Sequence, residues 1–209
     1  MPTITVSKGD QINLAVSLLG GGEGAAATKV VQNDLALSGY FKLGDADSTY
    51  TVRGTASGGS LQGQVVDHGG GTVLAKSYSV STRENAHQFA NDIIETLTGQ
   101  KGIAGTKIAF IATRSGRKEV YVADCDGSDV RQLTHDNTIS VHPSLSPDGR
   151  RLAYTGYQSG YADVYLIDLG SGARNRIVHF PGPNSGAAFS PDGSELALTI
   201  SKDGNPELS

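Results

Sequence analysis

The segment Gly20–Ala25 is the first of three groups whose residue types and spacing could do chemistry. It reads "GGGEGA" and fits the G-x-G-x-x-A pattern of a dinucleotide-binding loop between a strand and a helix. Such a site needs a parallel β-α-β unit, whereas we expect the following strands to form antiparallel hairpins. Glu23 would also place a negative charge beside the pyrophosphate. The pattern therefore favours a glycine-rich turn over a nucleotide site, and no cofactor is expected.

The second group is Asp124–Asp129, "DCDGSD", in which carboxylates alternate as they do in calcium loops. An EF-hand loop needs glycine at its sixth position and glutamate at its twelfth, and this segment has neither. Its Asp-Gly pair is typical of a hairpin turn. We interpret the segment as a turn and predict no metal site there.

The third group comprises the five histidines. They are His68, His87, His135, His142 and His179. Their spacing does not match that of zinc ligands. For His135 and His142, which lie on one predicted interblade loop and strand, partner contact is favoured over catalysis, with surface or packing roles as the other interpretation. The G-x-S-x-G sequence of a hydrolase nucleophile elbow does not occur anywhere in the chain. We therefore expect no catalytic residue.

Composition excludes several classes of partner. The chain has 209 residues and a formal charge of -4, so it lacks the basic balance of a nucleic-acid-binding surface. Its single cysteine, Cys125, cannot form an internal disulfide. No apolar run reaches the roughly 20 residues of a membrane span. The first 20 residues do not resemble a signal peptide, which leaves open a cytosolic protein or a mature exported form.

A repeat of 44 residues organises the second half of the chain. "SLSPDGRRLAY" (144–154) recurs as "AFSPDGSELAL" (188–198). Gly105, Gly149 and Gly193 follow the same interval. A period of about 40–45 residues made of short strands is typical of a β-propeller blade. Within one unit, strands are predicted at 142–146, 150–156, 162–169 and 174–180.

The connections between these strands differ in length. Pro147, Asp148 and Gly149 form a short hairpin turn, because proline fixes one φ and glycine supplies a positive one. The longer connections share the opposite rim of the blades, where binding usually lies. They are residues 113–118, 135–143, 156–161 and 180–186. We predict partner contacts on this rim from His142, Tyr157, Asn184 and Ser185.

The first hundred residues have a different pattern. Helices are predicted at 24–39 and 84–99, the second opened by a capping box at Ser81–Glu84. Strands are predicted at 3–6, 12–19, 49–55, 61–66 and 72–78. The fold class is thus α+β: a small α/β domain over 1–102, followed by propeller blades over 103–209.

The blades are too few to close a propeller. Residues 105–209 make about 2.4 units of 44 residues, whereas closed propellers have about 4–8 blades. We expect a C-terminally truncated chain, whose first blade would normally be completed by a C-terminal segment.

The repeat, together with the α/β segment that precedes it, resembles sequences of the TolB family. The residues that carry the resemblance are "SPDG" and "LAY" at 44-residue spacing, "IIETLTGQKGIAGTKIAFI" (93–111), "VVDHGGGTVLAKSYSV" (65–80) and "ALSGYFKL" (36–43). The resemblance covers nearly the whole chain. It implies a periplasmic, non-catalytic scaffold of the Tol–Pal system that supports envelope integrity and cell division, with about six blades in the complete propeller.

The resemblance also implies two partners. A peptidoglycan-associated lipoprotein would bind the propeller rim. A TolA-like inner-membrane protein would bind the N-terminal segment Thr3, Ile4, Thr5 and Val6, since a short β-prone segment can bind by strand addition. No small-molecule substrate is expected. The alternative is the accessory, gating propeller of a prolyl-oligopeptidase-like serine peptidase, whose catalytic domain would lie outside this sequence.

Overall fold

The computed structural model describes residues 11–44, 47–202 and 204–209. Contacts divide the chain into two compact units, Met1–Gly105 and Thr106–Ser209. The division falls three residues beyond the boundary expected from the sequence. The strand predicted at 3–6 lies outside the described residues.

Within residues 11–44 and 47–105, the first unit is a five-stranded mixed sheet with two helices. Its elements are β1 (Ile12–Val16), α1 (Gly24–Ser38), β2 (Phe41–Leu43), β3 (Tyr50–Ser57), β4 (Ser60–Asp67), β5 (Thr72–Tyr78) and α2 (Thr82–Thr98). The strand order is β2-β1-β3-β4-β5. Strands β2 and β3 both run parallel to β1, and β3, β4 and β5 form antiparallel hairpins.

The parallel pairing corrects one expectation from the sequence. β1, α1 and β2 do form a parallel β-α-β unit, so the prediction that none follows the glycine-rich segment is wrong. The reason is local: β2 has only three residues, Phe41–Leu43, directly after the left-handed Gly39 that ends α1. A strand that short carries no alternating pattern that could be recognised beforehand.

Both helices pack on the sheet through apolar side chains that are fully buried. These include Leu14, Val31, Leu35, Leu61, Val65, Phe89 and Ile93. The predicted capping box is confirmed, since the Glu84 amide donates to Ser81 Oγ at 3.3 Å and Ser81 Oγ donates to the Glu84 carboxylate at 2.9 Å. Helix α2 ends at Gly99, which has φ 71°.

Over residues 106–202 and 204–209, the second unit consists of three antiparallel sheets. Its strands are β6 (Lys107–Ala112), β7 (Glu119–Asp124), β8 (Arg131–Gln132), β9 (Ser140–Leu145), β10 (Arg151–Gly156), β11 (Asp163–Asp168), β12 (Arg174–Val178), β13 (Ser185–Phe189), β14 (Leu196–Ile200) and β15 (Glu207–Leu208). β9–β12 make one four-stranded blade, flanked by three-stranded sheets β6–β8 and β13–β15. The predicted partial propeller is confirmed.

The repeated "SPDG" segments form the turns predicted for them. Ser146 Oγ donates to Asp148 Oδ1 at 2.5 Å, and Ser190 Oγ donates to Asp192 Oδ1 at 2.6 Å. In both turns the amide two residues after the aspartate, that of Arg150 or of Ser194, donates to the same oxygen at 3.0 Å. These hydrogen bonds hold the pKa of Asp192 at about 2. The aspartates therefore build turns at the end of the blades where β9 meets β10 and β13 meets β14.

Candidate protein-binding rim

Four fully described connections leave the blades at the end opposite the "SPDG" turns, because antiparallel strands return the chain to that end after every second strand. They are residues 113–118, 133–139, 157–162 and 179–184, and together they form what we call the rim. The predicted loops match these connections closely. The main difference is that residues 140–143 and 185–186 belong to strands β9 and β13.

Large apolar side chains are exposed on this rim. Tyr161 is 70% exposed, Ile139 45%, Phe180 39% and Tyr157 38%. Exposed aromatic side chains held on a rigid scaffold are typical of protein-binding surfaces, where they provide large contact areas. The rim therefore has the chemical character of a surface that binds another protein.

A buried hydrogen-bond network fixes the loop 133–139 to the complete blade. The Asp136 side chain is 2% exposed and receives a hydrogen bond from Arg174 Nη1 at 2.5 Å. Ser140 Oγ and Tyr154 OH donate to its other oxygen at 2.9 and 3.1 Å. Burial opposes ionisation of this carboxyl, but the hydrogen bonds outweigh it and hold the pKa of Asp136 below its ordinary value.

Two further buried acids start strands β7 and β11, which occupy equivalent positions in successive repeat units. Asp163 is 3% exposed and accepts hydrogen bonds from Ser159 Oγ at 2.5 Å and Arg176 Nη1 at 3.2 Å. Glu119, 44 residues earlier, is 1% exposed, and its carboxylate accepts a hydrogen bond from Thr134 Oγ1. Its second oxygen accepts from the Asn137 amide at 3.0 Å. Each acid ties a rim loop to its strand.

His142 has a left-handed backbone within strand β9. Its φ is 51°, and Gly186, 44 residues later, has φ 71°. The register of both strands shifts here against the neighbouring strand, so the two positions are equivalent β-bulges. Non-glycine residues rarely adopt positive φ outside functional or strained sites. The bulge places the exposed His142 side chain at the rim end of the blade.

Comparison with known proteins places this propeller unit in a family. A family model described as the TolB beta propeller domain matches residues 94–209. The chain belongs to the TolB β-propeller family. "Protein TolB homolog" of Chlorobium chlorochromatii is 44% identical over 101 residues, which cover 46% of this chain and 23% of the relative. "Tol-Pal system protein TolB" of Geobacter sulfurreducens is 42% identical over 84 residues, covering 39% and 19%.

A solved TolB structure resembles nearly the whole chain. The crystal structure of TolB from Acinetobacter baumannii matches with a TM-score of 0.82 and 25% identity, covering 96% of this chain and 58% of that protein. The chain thus spans little more than half of that TolB structure, and the matched segments span less than a quarter of the two curated relatives.

The rim residues predicted for this TolB-family chain differ in accessibility. His142 and Tyr157 are exposed, and Ser185 is partly exposed at the start of β13. Asn184 is fully buried, and its Nδ2 donates to the carbonyl oxygens of Phe180 at 2.8 Å and of Gly182 at 3.1 Å. The structure gives Asn184 a supporting position behind the surface rather than the predicted contact position.

Sequence reasoning missed Asp136, Glu119 and Asp163. The last two had a signal, because acids 44 residues apart at the start of equivalent strands indicate a shared structural role. Asp136 had none, since the residue 44 positions later is Phe180. The predicted N-terminal contacts Thr3–Val6 lie outside the described residues.

The glycine-rich segment of the first unit is used for packing. A Cβ atom at Gly24 would lie 2.0 Å from the carbonyl oxygen of Leu19, and one at Gly21 would lie 2.4 Å from that of Ala56. The Glu23 carboxylate accepts a hydrogen bond from the Gly59 amide at 3.1 Å. The glycines therefore let the loop lie against the β3–β4 hairpin.

The aspartate-rich segment is a turn, as predicted. The Gly127 amide donates to the carbonyl oxygen of Asp124 at 2.9 Å, and Lys107 Nζ pairs with the Asp124 carboxylate at 2.8 Å. Over residues 11–44, 47–202 and 204–209, no group of three or more metal-ligating side chains is found. In the same part of the chain, no helix combines the length and the hydrophobicity needed to cross a bilayer.

Proposed function

We propose that this chain is a non-catalytic, protein-binding scaffold of the Tol–Pal cell-envelope system. The observation that carries the proposal is the exposed aromatic rim in a chain that belongs to the TolB propeller family. The names of its relatives, which include "Tol-Pal system protein TolB", support the system. The proposal places the chain in the periplasm. In this role it would support outer-membrane integrity and cell division.

The rim is the proposed binding surface for a peptidoglycan-associated lipoprotein. Tyr157, Tyr161 and Phe180 provide apolar contact area, and His142 and Ser185 provide polar groups beside them. The loops behind these side chains are anchored by buried acids, which lowers the entropy lost when a partner binds. This arrangement suits contact with a folded protein better than capture of a small molecule.

The N-terminal segment is the proposed binding site of a TolA-like inner-membrane protein. Thr3, Ile4, Thr5 and Val6 are all residues that favour strands. A segment of this composition can extend the sheet of a partner through main-chain hydrogen bonds. The two partners would then bind different parts of the chain.

A non-catalytic role fits the polar groups of the rim. The carboxylates of Glu119, Asp136 and Asp163 already accept hydrogen bonds, from the Asn137 amide of the rim and from the β12 side chains Arg174 and Arg176. The accessory-propeller alternative is not favoured, since the curated relatives carry TolB names and an α/β unit precedes the propeller unit.

Calorimetric titration of the chain with the soluble domain of a peptidoglycan-associated lipoprotein from the same species tests the rim assignment. We expect saturable one-to-one binding that the double variant Tyr161→Ser, Phe180→Ser weakens at least about tenfold, the effect of removing two aromatic contacts. Ser171→Ala, in a turn at the opposite end of the blades, should bind as the wild type does. Equal affinity of the double variant and the wild type would argue against the rim as the surface that binds the lipoprotein.

A second titration tests the N-terminal site. Replacement of Ile4 and Val6 by aspartate should abolish binding of the periplasmic domain of a TolA-like protein and leave lipoprotein binding unchanged. Ser7→Ala is the matched control, since it changes a neighbouring residue without removing an apolar side chain. Retained TolA binding by the aspartate variant would rule out this segment.

A further inference from the structure

A cavity of about 380 Å³ opens on the rim between the loop 157–162 and the loop 179–184. Its lining combines aromatic, cationic and acidic side chains. The lining residues used below are Ser159, Tyr161, Asp163, Arg176, His179 and Phe180. Neither the repeat pattern nor the sequence predictions pointed to this cavity, because it forms only where the two loops face each other.

Two aromatic side chains form its apolar walls. Tyr161 and Phe180 are 70% and 39% exposed, although rings of this size are normally much more buried. Pro181 follows Phe180 directly and fixes one φ of the loop that carries it. A partner side chain inserted between these walls would remove apolar surface from water on both sides.

Two cationic side chains and one buried acid lie at the cavity. Arg176 lines it with a side chain that is 41% exposed, and Lys202 Nζ lies 5.6 Å from the centre of the Phe180 ring. His179 is also exposed in the lining. The acid in the lining, Asp163, is 3% exposed and already receives hydrogen bonds from Ser159 and Arg176.

Asp163 orients the guanidinium group of Arg176. It engages Nη1 at 3.2 Å, and a guanidinium group carries five N–H donors. The hydrogen bond to Asp163 orients the planar guanidinium group, so that its remaining N–H donors point in defined directions. This geometry favours bidentate binding of a second carboxylate. The buried acid therefore prepares Arg176 for an anionic group of a partner.

We propose that this cavity anchors an acidic side chain of a partner protein, with an adjacent apolar side chain between Tyr161 and Phe180. The inference rests on the proposed scaffold function and specifies the chemistry of the partner segment. The carboxylate pairs with Arg176 and lies near Lys202. A basic segment would meet these same cations and be repelled.

The anionic group is that of an internal aspartate or glutamate and not a chain terminus. Capture of a terminal carboxylate typically uses a nest of backbone amides. Here the cavity is lined by Arg176, whose guanidinium group offers side-chain donors. A side-chain carboxylate beside an apolar residue matches the arrangement of the cavity.

Nuclear magnetic resonance titration of the ¹⁵N-labelled chain with short capped peptides tests the proposal. The probes are acetyl-Phe-Glu-Leu-amide, the same peptide with Gln for Glu, and acetyl-Gln-Phe-Leu with a free C-terminus. We expect shifts confined to residues 159–163, 176–182 and 202 for the Glu peptide. The Gln peptide should bind about two- to fivefold more weakly, as expected for an exposed ion pair, and the free-terminus peptide should bind no better than the Gln peptide.

Variants assign the effect to the cavity. Lys202→Gln and Arg176→Gln should each weaken binding of the Glu peptide, and Lys202→Gln does so without disturbing a buried acid. Arg150→Gln, which removes one positive charge at the opposite end of the blade, is the matched control and should bind normally. Equal binding of the Glu and Gln peptides, tighter binding of the free-terminus peptide, or an equal loss in Arg150→Gln would overturn the proposal.

The lipoprotein titration with the same variants separates this inference from the proposed function. If the lipoprotein binds the wild type and Lys202→Gln equally, the cavity is not its anchor and the scaffold function stands. If the wild type binds the Glu peptide as expected but not the lipoprotein, the cavity proposal survives and the scaffold function fails.

Discussion

At the scale of single residues, the rim depends on acids that are buried and paired. Asp136, Glu119 and Asp163 each connect a loop to a strand through hydrogen bonds that replace those of water. Loss of one partner would leave a buried charge without compensation, which costs more than the hydrogen bond itself contributes. Rim geometry is therefore sensitive to changes at residues that no partner would touch.

Asp136 should make the free energy of unfolding of the propeller unit depend on pH in the acidic range. Its folded pKa is lowered, so its contribution is fully present above its unfolded pKa of about 4 and is lost as the pH falls through the folded pKa. We expect Asp136→Asn to lower the free energy of unfolding by about 2 kcal/mol at pH 7. Urea unfolding followed by circular dichroism at pH 7 and pH 3 should show the difference shrinking at pH 3.

Asp129→Asn is the control for that measurement, because Asp129 is 55% exposed and its ion pair with Arg131 is long, at 3.4 Å. Its stability should match the wild type within about 0.5 kcal/mol at both pH values. A difference between Asp136→Asn and the wild type that stays constant from pH 7 to pH 3 would contradict the assigned role.

The left-handed bulge at His142 gives a second test at this scale. Because Gly186 holds the same conformation one unit later, we expect His142→Gly to keep its stability within about 1 kcal/mol of the wild type. His142→Val should lose about 1–2 kcal/mol, since a β-branched residue fits positive φ poorly. The urea midpoints of the wild type and the two variants provide the measurement. Equal midpoints for the glycine and valine variants would contradict a left-handed backbone at this position.

At the scale of elements, the first unit depends on close contact between α2 and the sheet. A Cβ atom at Gly63 of β4 would lie 2.4 Å from Cζ of the fully buried Phe89. Gly63→Ala should therefore destabilise the chain by about 1–3 kcal/mol, as overpacking of a core does. The thermal midpoint by circular dichroism measures the effect.

Two further variants show whether the clash is the cause. Gly22→Ala is the control, since no atom lies within 4 Å of the Cβ it would add, and it should leave the midpoint unchanged. Phe89→Leu should recover part of the loss in the Gly63→Ala background. A Gly63→Ala midpoint equal to that of the wild type would show that the ring can shift at no cost.

Elements with a strong local signal could be predicted from the sequence, and those set by distant contacts could not. Helix α2 carries its capping box and its final glycine in the sequence, and the turns at Asp148 and Asp192 carry their proline and glycine. Strand β2 is too short to show a pattern, so its parallel pairing was missed. The burial of Asn184 and the position of Asp136 depend on contacts with residues far away in the sequence.

At the scale of the whole molecule, a 44-residue repeat places the rim loops and their exposed aromatic side chains at one end of the blades. The repeat predicted which loops share this end, because antiparallel strands return the chain to the same end after every second strand. It did not predict the cavity, which needs both loops in place. The central claim is that a peptidoglycan-associated lipoprotein contacts this end and not the end formed by the "SPDG" turns.

Hydrogen–deuterium exchange of the chain, alone and with saturating lipoprotein, tests that claim most directly. The account predicts that the partner slows exchange in residues 157–161 and 179–186, and leaves exchange in the turns 146–150 and 190–195 unchanged. Protection of those turns, or no protection of the rim at saturating lipoprotein, would contradict it.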